Sequence, residues 1–184
     1  MRKIYFFLIA TFLFVNLSTA QLVWIGGATG DYSLPANWNL GRVPGGADVI
    51  QFNAAFPIVV TNVPTQSIAG IEILTGTSSV SLAANAGNIL TLTNANPIRY
   101  TSVGSILAAD FLTISLSAAT NLTINACTFG IASGTGGKVI INGTLLLSGG
   151  TLDFDVAGTG GATINGTVNY TSGLFASVNA SSIT

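Results

Sequence analysis

Two passages in the second half of the chain say the same thing twice. Gly134-Thr135-Gly136-Gly137 is followed by Lys138-Val139-Ile140-Ile141-Asn142-Gly143-Thr144, and Gly158-Thr159-Gly160-Gly161 by Ala162-Thr163-Ile164-Asn165-Gly166-Thr167. The GTGG units lie 24 apart and the Ile-Asn-Gly-Thr units 23 apart. A weaker echo, Leu122-Thr123-Ile124-Asn125-Ala126-Cys127, puts an Ile-Asn pair 17 ahead of Ile141-Asn142. A fixed period of roughly 20–50 residues is the signature of a repeat architecture.

What one period contains narrows the choice. From Val49 onward, short β-prone runs such as VIQF, PIVVTNV, NILTLTN, FLTISLS and KVIINGTLLLSG alternate with turn clusters such as GTSS, NAGN, NANP and SGTGG. No stretch carries a 3.6-residue apolar period over helical length, so the fold class is all-β. Three short strands fit in one such period, which matches one coil of a parallel β-solenoid. A β-sandwich with an incidental repeat is the alternative architecture.

Charge supports the solenoid. Charged residues make up 6% of the chain, against roughly 25% in ordinary globular domains. Disorder does not account for this, because 49% of the residues are apolar and disordered chains are poor in such residues. In a solenoid, equivalent positions stack one rung apart, at about 4.8 Å. Like charges in such a column would repel by about 3–4 kcal/mol per neighbouring pair at an effective dielectric of 20. Columns of Thr, Ser, Asn, Val, Ile and Leu avoid that repulsion, and Asn or Thr ladders add hydrogen bonds. Apolar side chains of Val139-Ile140-Ile141 and Thr144-Leu145-Leu146-Leu147-Ser148 are expected to fill the core. Asn142-Gly143 is expected at the corner, where a positive φ is cheap for both residues.

The N-terminus reads as a secretory leader. Arg2 and Lys3 precede the apolar run Ile4–Val15, and Ser18 and Ala20 supply small residues for cleavage after Ala20. The apolar run is shorter than the roughly 20 residues that span a bilayer, and no cysteine follows the cleavage point to carry a lipid. The expected mature chain, Gln21–Thr184, has no membrane span and is long enough for one domain with a core of its own. Its charged residues are Arg42, Arg99 and Lys138 against Asp31, Asp48, Glu72, Asp110, Asp153 and Asp155, a formal charge of −3. Nothing in that set neutralises a phosphate backbone, so nucleic acid is not an expected partner.

Residues 21–52 form a distinct segment. It reads Trp24-x-Gly26-Gly27, Gly30-Asp31-Tyr32-Ser33, Pro35-Ala36-Asn37-Trp38, Gly41-x-x-Pro44-Gly45 and Asp48-Val49-Ile50-x-Phe52, and it holds both tryptophans of the chain. The first coil of a solenoid exposes a strand edge and an apolar interior. Two indoles and a tyrosine can cover that end, and Asp48 can hold amides of the Pro44-Gly45-Gly46 turn. A sharper alternative is a carbohydrate contact, with Trp24, Tyr32 and Trp38 stacking on sugar rings. Calcium held by Asp31 and Asp48 is a third option, weak because Ca²⁺ takes six to eight oxygens.

The segment resembles the N-terminal W-x-G … N-W … G-x-x-P … D-x-V-x-F stretch of large bacterial secreted adhesin-like and autotransporter-like proteins, where it follows the leader and precedes β-helical repeats. Tyr32 stands where those segments usually carry Trp. The resemblance covers Val23–Phe52 and implies a secreted or cell-surface β-solenoid, exported by the type IX route where a C-terminal sorting domain is present. Repeats are expected over 53–184 and to run on beyond Thr184, where no polar cap is visible.

Catalytic groups are scarce. There is no histidine and one cysteine, Cys127, so neither Ser-His-Asp nor Cys-His catalysis can be assembled. Cys127 reads as a small buried hydrophobe. Asp153 and Asp155, two apart on a strand, share one face and form the only close acid pair; a solvated strand face explains them without catalysis. The GTGG units lack the spacing and the helix of a phosphate loop. The Asn-x-Ser/Thr triplets at Asn121, Asn142, Asn165, Asn169 and Asn179 follow from composition. The expectation is therefore an exported, surface-exposed solenoid acting as a structural or binding scaffold of an adhesin-like protein, without catalysis or cofactor, its partners extracellular glycans or host and matrix surfaces. The alternatives are a carbohydrate-binding module, the N-terminal part of a polysaccharide-acting β-helix enzyme, or a purely structural surface-layer protein.

Overall fold

The computed structural model describes residues 21–74, 79–85, 87–100, 104–117, 120–124, 127–132, 135–154 and 160–176. The leader-like residues 1–20, Asp155 and the Asn179 triplet lie outside them. The described part is all-β apart from one 3₁₀ turn, Pro35–Asn37, and no helix in it is long and apolar enough to cross a membrane. Its strands are β1 (Gln21–Val23), β2 (Thr29–Asp31), β3 (Val49–Phe52), β4 (Ile58–Thr61), β5 (Gln66–Ile68) and β6 (Gly70–Ile73). These are followed by β7 (Val80–Ala84), β8 (Ile89–Leu92), β9 (Ile98–Tyr100), β10 (Ser105–Asp110), β11 (Thr113–Leu116) and β12 (Asn121–Ile124). The last are β13 (Thr128–Ile131), β14 (Lys138–Ile141), β15 (Thr144–Asp153), β16 (Gly161–Ile164) and β17 (Val168–Ala176).

The named strand pairs are all parallel, each strand lying beside its equivalent one coil away. One wall runs β1-β3-β6-β9, a second β5-β8-β11-β14-β16, and a third β2-β4-β7-β10-β13-β15-β17, with β12 joined to the N-terminal half of β15. The result is a β-solenoid of about five turns. Side-chain bonds between neighbouring coils join residues 23, 24, 25 and 26 positions apart, so the repeat read near position 140 governs most of the stack. The first turn is longer because it carries the irregular stretch between β2 and β3.

Alternation selects what lies inside. Ile68, Leu92, Leu116, Ile141 and Ile164 occupy successive rungs of one column, and Leu90, Ile114, Val139 and Ala162 another. Down to Ile141 and Val139 every member of these columns is fully buried. Each such side chain contributes about 1.5–3 kcal/mol by leaving water. Ile140 and Leu146 point the other way and are half-buried, so the runs Val139–Ile141 and Leu145–Leu147 fill the core at alternate positions rather than throughout. Cys127 is buried, as expected of a small hydrophobe.

The corner at Asn142-Gly143 differs from expectation. Neither residue is among those with positive φ, which include Asn62, Asp110, Gly87 and Gly149. Glycine is required there by crowding: a Cβ on Gly143 would collide with the carbonyl oxygen of Thr120, and one on Gly166 with that of Gly143. Gly143 stacks on Thr120 and Gly166 on Gly143, because the corner brings backbones to rung distance with no gap for a further side chain. The asparagine column behaves as a ladder, with Asn165 Nδ2 donating to Asn142 Oδ1 at 2.9 Å and Asn142 Nδ2 to the Leu116 carbonyl at 3.0 Å.

Gly130 and Gly161 separate crowding from mere flexibility. A Cβ at Gly130 would sit in the carbonyl of Asp153, whereas one at Gly161 meets nothing within 4 Å. Gly130→Ala is expected to lower the unfolding free energy by about 2–4 kcal/mol and Gly161→Ala to change it by less than about 0.5 kcal/mol, as read from urea unfolding curves. Equal effects would show that rung crowding does not govern these positions.

Candidate functional site

The aromatic segment sits on the first coil. After β1 the chain turns through Gly26 and Gly27 into β2, passes the 3₁₀ turn, and returns so that residues 37–39 run antiparallel beside β1. Ile25 N donates to Asn37 O at 2.9 Å, Asn39 N to Val23 O at 3.0 Å, and Val23 N to Asn39 Oδ1 at 2.9 Å. The N–H and C=O of Val23, which face away from β3, are thereby satisfied, so this part of the β1 edge is covered.

The three aromatic rings lie beneath this return. Trp24, Tyr32 and Trp38 are 6%, 0% and 1% exposed. Trp38 packs edge-on against both others, at centroid distances of 5.1 Å to Trp24 and 5.2 Å to Tyr32, and Trp24 reaches Phe52 at 6.3 Å. Each edge-to-face pair adds about 0.5–1.5 kcal/mol to the burial itself. Their polar atoms are used internally: Trp38 Nε1 donates to Tyr32 O at 2.8 Å, Trp24 Nε1 to Gly27 O at 2.9 Å, and the Gln66 amide to the Tyr32 hydroxyl. Gly26 and Gly30 lie against the Trp24 ring, where a Cβ would clash. With these rings covered, a sugar has no open indole face to stack on, and the group is brought together as a core.

Electrostatics in the segment serve the same end. Burial pushes the Tyr32 phenol far above its ordinary value, with the Asp48 charge adding to the shift and the Gln66 bond opposing it. It therefore stays neutral. Asp48 is held by Arg42 through two bonds, at 2.5 and 2.8 Å, and by the Gly45 amide at 2.6 Å. The amide contact agrees with the sequence reading, while nothing in the spacing of Arg42 and Asp48 marks the bidentate arginine. The guanidinium holds the Asp48 carboxyl below the usual range, against a smaller opposing effect of burial. Asp31 is occupied elsewhere, accepting from Ser33 N at 2.7 Å and Asn62 Nδ2 at 2.7 Å. Among the described residues no group of three or more His, Cys, Asp or Glu could hold a metal.

A second locus lies on the β1-β3-β6-β9 wall. Outside the Leu22-Ile50-Ile71-Ile98 column runs Val23-Gln51-Glu72-Arg99, in register. Gln51 Nε2 donates to Glu72 Oε2 at 2.6 Å, and Arg99 Nη2 stands 3.6 Å from the same oxygen. The Glu72 side chain is 12% exposed and that of Arg99 49%. Beside them opens a cleft of about 420 Å³ lined by Glu72, Asn96, Ile98, Arg99, Tyr100, Asn121 and Thr123. Tyr100 donates its hydroxyl to Thr128 O at 3.0 Å, and burial, reinforced by Cys127, holds its phenol well above the ordinary value. It contributes a ring and no base. The sequence signal for this place is slight: Glu72 and Arg99 are the sole charged residues between Asp48 and Asp110.

Comparison with family models, with curated proteins and with solved structures found no match to this chain.

Two outcomes test the aromatic group. Trp38→Ala is expected to cost about 3–5 kcal/mol of stability, read from chemical unfolding. For Asp48 the folded value lies below the ordinary 3.8, so its stabilising effect is complete above that pH and is lost as pH falls through the folded value. Asp48→Asn should therefore flatten the decline in melting temperature below about pH 4 and lower stability at pH 7. A variant melting like the parent across that range would show that the Arg42 pair does not hold the turn.

Proposed function

We propose that the chain is an exported, surface-exposed scaffold of the adhesin-like kind, working by reach and binding rather than by catalysis. The observation that carries this reading is the unbroken parallel stack from β2 through β17, whose axis lengthens by about 4.8 Å with each coil. Such a stack is a stiff rod with a repetitive, charge-poor surface, suited to holding a contact region away from its base. The leader-like residues before Gln21 and the resemblance of residues 23–52 to secreted adhesin-like proteins support placement outside the cell. Covering of the β1 edge supports a chain that works in the open without pairing to neighbours. The carboxylates whose partners are described above, Asp31, Asp48 and Glu72, are each engaged in holding the fold. Extracellular glycans or matrix surfaces are the partners this reading implies.

The test is localisation. The full chain, expressed in a bacterial host with its own leader-like stretch Met1–Ala20, should be recovered outside the cytoplasm with Gln21 as its N-terminal residue by mass spectrometry. External protease should degrade it on intact cells. Retention in the cytoplasm with Met1 intact would overturn the proposal.

A further inference from the structure

Hydrogen-bonded rungs about 4.8 Å apart leave no room between coils for a ligand. Among the described strands, the ladder lapses between consecutive coils at one place. The first wall's ladder stops at β9: β12, which follows one coil later, pairs onward with the N-terminal half of β15, 23 residues further along, but not back with β9. Asn121 N still reaches Ala95 O, at 2.6 Å, but beyond that contact the two strands part. The cleft of about 420 Å³ opens there, within the roughly 300–1,000 Å³ typical of small-ligand sites.

Its lining has a particular chemistry. Glu72 offers an anionic acceptor set back in the wall. Arg99 carries five N–H donors, and its partner across the cleft edge stands at ion-pair rather than hydrogen-bond distance. Asn96, Asn121 and Thr123 are exposed and supply both donors and acceptors. The half-buried ring of Tyr100 provides apolar surface above the buried Ile98. A free anion would meet Glu72, and a cation would meet Arg99. A neutral polyhydroxyl compound satisfies both, because each hydroxyl donates and accepts and its C–H faces suit the ring of Tyr100.

The geometry points to this cleft as a binding site for a neutral saccharide, of a size to take one or two sugar units. The site deepens the scaffold reading, resting on exposure of the chain to glycans, and it stands away from the covered rings of Trp24, Tyr32 and Trp38. Arg99 and Asn121 hold the ligand from opposite strands, and Glu72 orients Arg99 while accepting a hydroxyl.

The test uses the full chain made in a bacterial host, so that Asn121-Leu122-Thr123 stays unmodified. Neutral gluco-, galacto- and manno-oligosaccharides are screened on an array beside oligogalacturonates and sulfated saccharides, and the best neutral probe is titrated by calorimetry. The expected result is binding of a neutral probe with a Kd that changes less than about twofold between low and high salt, since no net charge is exchanged. Arg99→Gln, Asn121→Ala and Thr123→Val should each weaken it by about tenfold at unchanged melting temperature, and Lys138→Ala, on another wall, should leave it unaltered. Should Arg99→Gln fail to fold, the two exposed variants on β12 decide. Absence of any bound neutral saccharide, indifference to the cleft variants, or capture of anionic saccharides alone with steep salt dependence would each overturn the site. Localisation is measured separately, so a chain displayed on cells that binds no sugar removes the site and leaves the scaffold reading. A cytoplasmic chain that binds sugar does the reverse.

Discussion

Every coil of this protein must lie in register on the one before, at the distance of a backbone hydrogen bond. That single spacing governs the rest. It disfavours columns of like charge, and the three cations after Ala20, Arg42, Arg99 and Lys138, fall on a loop and two different walls. It demands that apolar residues recur at equivalent positions, which gives the Ile68-Leu92-Leu116-Ile141-Ile164 column. It also leaves no volume at the tight corner, where Gly143 and Gly166 stack because a Cβ would strike the carbonyl one rung away. Glycine at that corner answers to crowding, and not to the left-handed backbone that the Asn-Gly pair suggests.

A stack of this kind has an end, and the first coil shows how one is closed. Residues 37–39 return antiparallel to the end of β1 and take up the outward backbone groups of Val23, while Trp24, Tyr32 and Trp38 fill the space beneath. On the first described coil these large aromatics supply the apolar layer that Leu and Ile provide in the coils after it. The polar edges of the two indoles bond to carbonyls within the same segment, so burial leaves neither N–H unpaired. The same burial leaves little of their ring surface open to solvent. A constellation that in sequence could have been a sugar platform is, in space, a core.

The cleft at β9 and β12 is the counterpart of that closure. Paired rungs leave no space between coils, and here β12 pairs with β15 on one side but not with β9 on the other. Polar residues that would be ordinary on a flat wall then converge on a concavity, with Glu72 and Arg99 drawn from different coils.

How far the residues alone reach is clear from particular elements. The repeat period, the absence of helical patterning and the lack of charge together determined a parallel solenoid, since only stacking of equivalent positions makes all three necessary. The Asn142–Asn165 ladder was legible for the same reason, being a contact between copies of one motif. Other contacts were not legible. The Arg42–Asp48 pair, the antiparallel return over β1 and the burial of the three rings depend on an irregular loop, whose path has no period to betray it. The cleft depends on β9 and β12 failing to pair, which no motif around residues 98–124 marks. Repetition writes itself into sequence because each copy meets the same spacing. Departures from repetition are decided in three dimensions, where one coil ends and the next fails to pair.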